Sequence, residues 1–127
     1  MIIHPIIFNS SVRQKSGKTE LGYTISRSIE SLEEVDILVM TGSTVIEHSL
    51  EGPLNAAKNA HFKIVVGPTA SWIPDKAFEL GLNAVCGMKF KEPEKAFRTI
   101  MQGGGTMFFA KYAEKYIFAR EPIPNIN

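Results

Sequence analysis

The chain has 127 residues, 44% hydrophobic and 21% charged, with a formal net charge of +1. That length suits one domain with a real core, and the composition is that of an ordinary globular protein. A charge so close to zero gives no electrostatic case for nucleic acid or an anionic membrane as partner. No apolar run, Ile37 to Met40 being typical, is long enough to cross a bilayer. Met1 to Pro5 lacks the basic n-region and long apolar core of a signal peptide. The single cysteine, Cys86, rules out an internal disulfide and fits a reducing, cytoplasmic setting.

Taken in chain order, Ile2 to Phe8 reads as an apolar strand. Asn9 to Thr19, with Arg13, Lys15, Lys18 and Gly17, reads as a mobile loop. Leu21, Ile25, Ile29 and Leu32 recur at helical spacing and predict an amphipathic helix. Asp36 to Met40 predicts a strand covered on both faces, being apolar after its first residue. Ser49 is placed to cap a helix to about Ala60, with Pro53 tolerated in its first turn. Phe62 to Val66 repeats the apolar strand, and Asp75 to Leu80 predicts a short helix stopped at Gly81. Asn83 to Cys86 is another strand. Pro93 opens a helix carrying Ala96, Phe97, Ile100 and Met101 on one stripe. Gly103 to Gly105 ends that helix, Tyr116 to Ala119 is a final strand, and 121–127 is a tail after a domain spanning 1–120.

Strands alternating with helices imply right-handed crossovers and a mainly parallel, three-layer Rossmann-like sheet. In such sheets ligands bind beyond the carboxyl ends of the strands. Four segments then share that rim: Asn9 to Lys18, Thr41 to His48, Gly67 to Pro74 and Gly87 to Phe90. Thr41-Gly42-Ser43-Thr44 sets three hydroxyls around a glycine, either to receive an anion at a helix start or to cap its own turn. It lacks the Gly-Lys-Ser/Thr of a Walker loop and the spacing of a dinucleotide fingerprint. Gly67-Pro68-Thr69 has the same form after the next strand. Gly103-Gly104-Gly105 is more glycine than one helix stop requires, and would let backbone approach a ligand closely. Glu47 and His48 are the metal-capable pair nearest the rim, with His4, Asp75 and Cys86 further candidates, none at a recognised ligand spacing. Cys86, inside an apolar strand, reads as a core residue. Trp72 either packs as a lid or stacks on a ligand.

Asp36 to Thr44, Val65 to Ala70 with Pro74, Phe78 and Gly81, Pro93 to Ala96, and Gly103 to Thr106 come in the order and approximate spacing of one family. From Ile2 to Phe118 the chain resembles the carboxyl-terminal Rossmann-like domain of the family labelled "putative heavy-metal chelation domain". The resemblance implies a ligand site in a cleft shared with an enolase-like amino-terminal domain. It also implies members about twice this length, so that this chain lacks the enolase-like domain and the first strand and turn of the Rossmann-like half. After Thr44 the family usually carries Asn-Gly-Thr, where this chain has Glu47-His48-Ser49.

The sequence is compatible with three functions. The first is a binding module for a small, anionic or metal-bearing ligand, with a divalent transition metal as the candidate cofactor. The second is an enzyme subunit, with Glu47 or His48 as acid–base group, whose cleft a second chain completes. The third is a structural or regulatory subunit without a site. Nucleotide or S-adenosylmethionine binding is the alternative ligand class. The aromatic-rich end (Phe108, Phe109, Tyr112, Tyr116, Phe118) and an uncovered sheet edge predict a homo-oligomer, or a companion chain supplying the missing domain.

Overall fold

In the computed structural model, residues 5–8, 16–46, 50–72 and 74–123 are described. Four strands make the main sheet, in spatial order β4 (Ile37–Thr41), β5 (Phe62–Val66), β6 (Ala84–Phe90) and β7 (Ala113–Ala119). The first three run parallel and β7 runs antiparallel to β6. The fold is therefore mixed α/β with a partly parallel sheet. β1 (Ile6–Phe8), β2 (Gly17–Lys18) and β3 (Thr24–Ser26) form a second, small sheet of order β1-β3-β2.

Alternation along the strands separates two cores. Leu38 and Met40 of β4, Val65 of β5 and Val85 of β6 are buried in one cluster. They pack with Leu50, with Leu54 of α2 (Glu51–Ala56) and with Ala77 of α3 (Pro74–Glu79). Met88 is an odd number of residues from Val85 and so points to the opposite face. There it packs with Ala96 of α4 (Pro93–Met101) and Phe109 of α5 (Thr106–Phe109). The β4 end of that second face is open: Val39 is 61% exposed. Coverage of β4 on both faces is thus not found among the described residues, and its burial alternates as in a one-sided strand.

Other expectations need correction. The helix expected over Leu21 to Leu32 is instead strand β3 followed by a single 3-10 turn at Ile29–Leu32. Local hydroxyls explain the change. Thr19 Oγ1 donates to Tyr23 O and accepts from Tyr23 N–H, while Ser26 Oγ accepts from Ser28 N–H. Such bonds give the backbone an alternative to the helical ladder. Gly87 to Phe90, expected as a rim loop, continues β6, held straight by pairing with Ala113 to Tyr116. β7 likewise starts at Ala113 rather than Tyr116. Helix α2 ends earlier than expected, and its expected cap, Ser49, lies outside the described residues. Of the α4 stripe only Ala96 is buried; Phe97, Ile100 and Met101 are exposed. Phe62–Val66 and the α3 stop at Gly81 (φ +90°) stand where the sequence puts them.

Candidate functional site

The rim is built by two turns that leave neighbouring parallel strands at the same end. After β4, Gly42 N–H donates to Val66 O at 2.8 Å; after β5, Gly67 N–H donates to Cys86 O at 3.0 Å. Each turn is thereby tied to the next strand. Gly42 is buried flat against the second turn, and a Cβ there would overlap Ala70 N and Thr69 Oγ1 and sit 2.6 Å from Thr69 C. Gly67 has φ +120° and ψ 172°, a conformation that essentially only glycine adopts. Two glycines at two strand ends therefore bring Thr41, Ser43, Thr44, Pro68 and Thr69 onto one surface.

Part of that polarity is used locally. Thr44 Oγ1 donates to Thr41 O at 2.7 Å, and Ser43 Oγ donates to Thr41 Oγ1 at 3.4 Å. The helix that follows, α1 (Ser43–Ile46), is a single turn. One turn sums too few peptide dipoles to hold an anion at its start, so this segment is first of all a self-capping turn. The second turn, a 3-10 turn at Pro68–Ala70, is pinned to β6 by one hydroxyl. Ser71 Oγ accepts from Met88 N–H at 2.9 Å and donates to Met88 O at 3.2 Å. Tyr116 of β7 lies across Gly87, where a Cβ would stand 2.6 Å from Tyr116 Cζ and 2.8 Å from Ser71 Oγ. The hydroxyl-bearing surface thus runs from Thr41 through Thr69 and Ser71 to Tyr116, a continuation that sequence spacing did not reveal because Gly87 and Tyr116 meet only through β6–β7 register.

Trp72 follows directly. It packs on the larger core, yet its Nε1–H is buried and finds no acceptor among the described residues. This is the one buried side-chain polar atom in that condition among them.

The remaining candidates belong to other elements or lie outside the described residues. Gly103 (φ +81°) and Gly104 close α4 through bonds to Ile100 O and Thr99 O, and Gly105 O accepts from Phe108 and Phe109. These contacts are all with the α4–α5 unit. Glu47 and His48, the expected metal pair, and His4 lie outside the described residues. Among the described residues no three His, Cys, Asp or Glu side chains cluster to hold a metal ion. Burial pushes the Cys86 thiol up, which disfavours the thiolate that metal binding or nucleophilic attack needs.

A partly parallel α/β sheet with helices between its strands is the architecture of a Rossmann-like α/β domain. The chain belongs to the family described as "Putative heavy-metal chelation", whose model matches residues 6–119. It is 32% identical over 85 residues to an uncharacterised protein of Methanocaldococcus jannaschii, covering 67% of this chain and 33% of that protein. The chain therefore spans a third of that relative's length. Two crystal structures of family members of unknown function are similar. One, from Desulfitobacterium hafniense, has a TM-score of 0.69 at 26% identity, covering 81% of this chain and 42% of the other. The second, from Pyrococcus horikoshii, has a TM-score of 0.68 at 25% identity, covering 72% and 38%. No helix among the described residues is long and apolar enough to cross a membrane.

Proposed function

We propose that this chain is the Rossmann-like wall of a cleft that binds a small, oxygen-rich ligand, with a heavy metal carried as its chelate. The observation that carries the reading is the Trp72 indole N–H, buried without an acceptor among the described residues, at the end of the fused turns. An unpaired buried donor costs about 1–3 kcal/mol, and a ligand oxygen seated on the rim would remove that cost. Thr41, Ser43 and Thr69 would hold the rest of the ligand, with Thr44, Gly67 and Pro68 fixing the shape of the wall. Glu47 and His48 would supply metal ligands from the adjoining segment. The Gly103 to Gly105 turn would serve a second contact, toward whatever closes the cleft. The family description supports metal chelation at the level of the family; the assignment of these residues is ours.

Trp72 is the only tryptophan, so intrinsic fluorescence reads this one position. Titration with zinc alone, citrate alone and zinc citrate is the test. A saturable change with zinc citrate, weakened by Thr69→Ala and Thr41→Ala, supports the proposal. Zinc alone acting as strongly, with both variants indifferent, would move the metal to a site without the rim hydroxyls. No change with any of the three would remove the proposed site.

A further inference from the structure

We propose that the outer edge of β7 pairs antiparallel with the β7 of a second copy, about a twofold axis at Ile117. β7 ends the main sheet, and its inner edge alone is paired among the described residues. Arg120 N–H donates to Asn83 O and Lys91 N–H donates to Tyr112 O, each at 2.8 Å. In an antiparallel strand a residue's N–H and C=O point to the same side, and successive residues alternate. Tyr112 and Arg120 face β6, so Glu114, Tyr116 and Phe118 do too. Ala113, Lys115, Ile117 and Ala119 are left with their backbone groups pointing outward. An exposed row of this kind is a template for another strand. The strand also carries apolar side chains in water, Ile117 at 43% and Phe118 at 51% exposure.

The sequence of β7 is complementary to itself in the register centred on Ile117. With Ile117 opposite the partner's Ile117, these two residues exchange both backbone bonds, and Lys115 does the same with the partner's Ala119. Tyr116 then stands opposite the partner's Phe118, and Glu114 opposite the partner's Arg120. Both are non-hydrogen-bonded positions, where side chains come closest. The Ile117 pair lies on the axis and each of the other pairs occurs twice by symmetry, as an isologous interface requires. Centring the axis on Lys115 sets two lysines face to face, and centring it on Tyr116 sets Glu114 against an aromatic ring. Of these three, only the Ile117 register sets Glu114 against Arg120. The charged groups are available for it. Arg120 has no carboxylate at ion-pair distance among the described residues, and the present partner of Glu114 is the exposed Lys91 at 3.3 Å. An open groove of about 520 Å³ beside Tyr116 and Phe118 leaves room for the partner's ring.

Sedimentation of the full chain across a micromolar dilution series tests the pairing. A concentration-dependent dimer is expected. Ile117→Pro removes an outward N–H that the β6 pairing does not use, which an edge strand tolerates, and should give a folded monomer. Glu114→Arg and Arg120→Glu should each weaken the dimer about tenfold, since two pairs turn from attraction to repulsion. The double reversal should restore it. That charge cycle decides the matter even where the proline variant fails to fold. A wild-type chain that stays monomeric throughout, or a dimer indifferent to Ile117→Pro and to both single reversals, would overturn the proposal. A double reversal no better than the singles would overturn the register.

Discussion

Gly42 carries the geometry of the rim because it has no side chain. Its backbone lies against Thr69 and Ala70 closely enough that a single methyl cannot be seated without moving the second turn. Ala70 is wholly buried in the main core, so the turn has little freedom to retreat. Gly42→Ala is accordingly expected to destabilise the fold by about 1–3 kcal/mol, the usual penalty for overpacking. Urea unfolding followed by Trp72 fluorescence measures it, and an unchanged midpoint would contradict the packing described. The residue types at this turn were legible in the sequence as a hydroxyl-rich strand end. What the sequence did not show is that the glycine is required by the neighbouring turn, since that contact joins residues 42 and 69 through tertiary structure. Nor did it show that Thr44 spends its hydroxyl on Thr41 O, which makes the turn self-capping whatever else it binds.

At the level of elements, legibility followed the strength of local signals. Phe62–Val66 is an unbroken apolar run, and Pro93 and Gly81 punctuate helices in the ordinary way; all three stand where they were read. The segment from Leu21 to Leu32 misled because its four apolar residues happen to fall at helical spacing while Thr19, Thr24, Ser26 and Ser28 favour extended and turn backbone. The register of β7 was invisible for a different reason. A strand's extent depends on its partner, and β6 continues beyond the rim only because β7 pairs along it. The glycine triplet shows how one motif divides into different parts. At Gly104 a Cβ would stand 2.7 Å from Thr99 Cγ2 and 2.8 Å from Thr99 O. Gly105 has open space around it and extended backbone (φ −82°, ψ −171°) at the start of α5, with no side-chain cap. Gly104→Ala should therefore lower stability by roughly 1–3 kcal/mol. Gly105→Ser should be neutral or stabilise by a few tenths, about 0.5 kcal/mol, through a new helix cap. Thermal unfolding of the two variants checks the contrast, and equal effects would mean that the turn does not pack against Thr99 as described.

Across the whole molecule, burial is unevenly shared. Val65, Val85, Ala84, Ala77 and Ala57 have no solvent exposure, and they cluster around β5, β6 and the helices beside them. The small sheet is different in kind. Its strands are two or three residues long, none of their residues is buried, and Ile6 and Ile7 are substantially exposed. Short strands without a buried face add few apolar contacts to offset the entropy of ordering them. Phe8 of β1, and Ile29 in the 3-10 turn after β3, are partly buried against the main core. Local opening free energies in proteins range from near zero at such margins to the global value in the core. Native-state hydrogen exchange should therefore divide the chain into two groups. Amides that pair within β1–β3 are expected to exchange through local opening, insensitive to low denaturant. Those of Val65 and Val85 should exchange only with global unfolding and follow its denaturant dependence. Equal protection in both sheets would show that the small sheet is held by more than its own pairing. A complementary contact, from a ligand at the rim or a second chain, would then have to supply the difference.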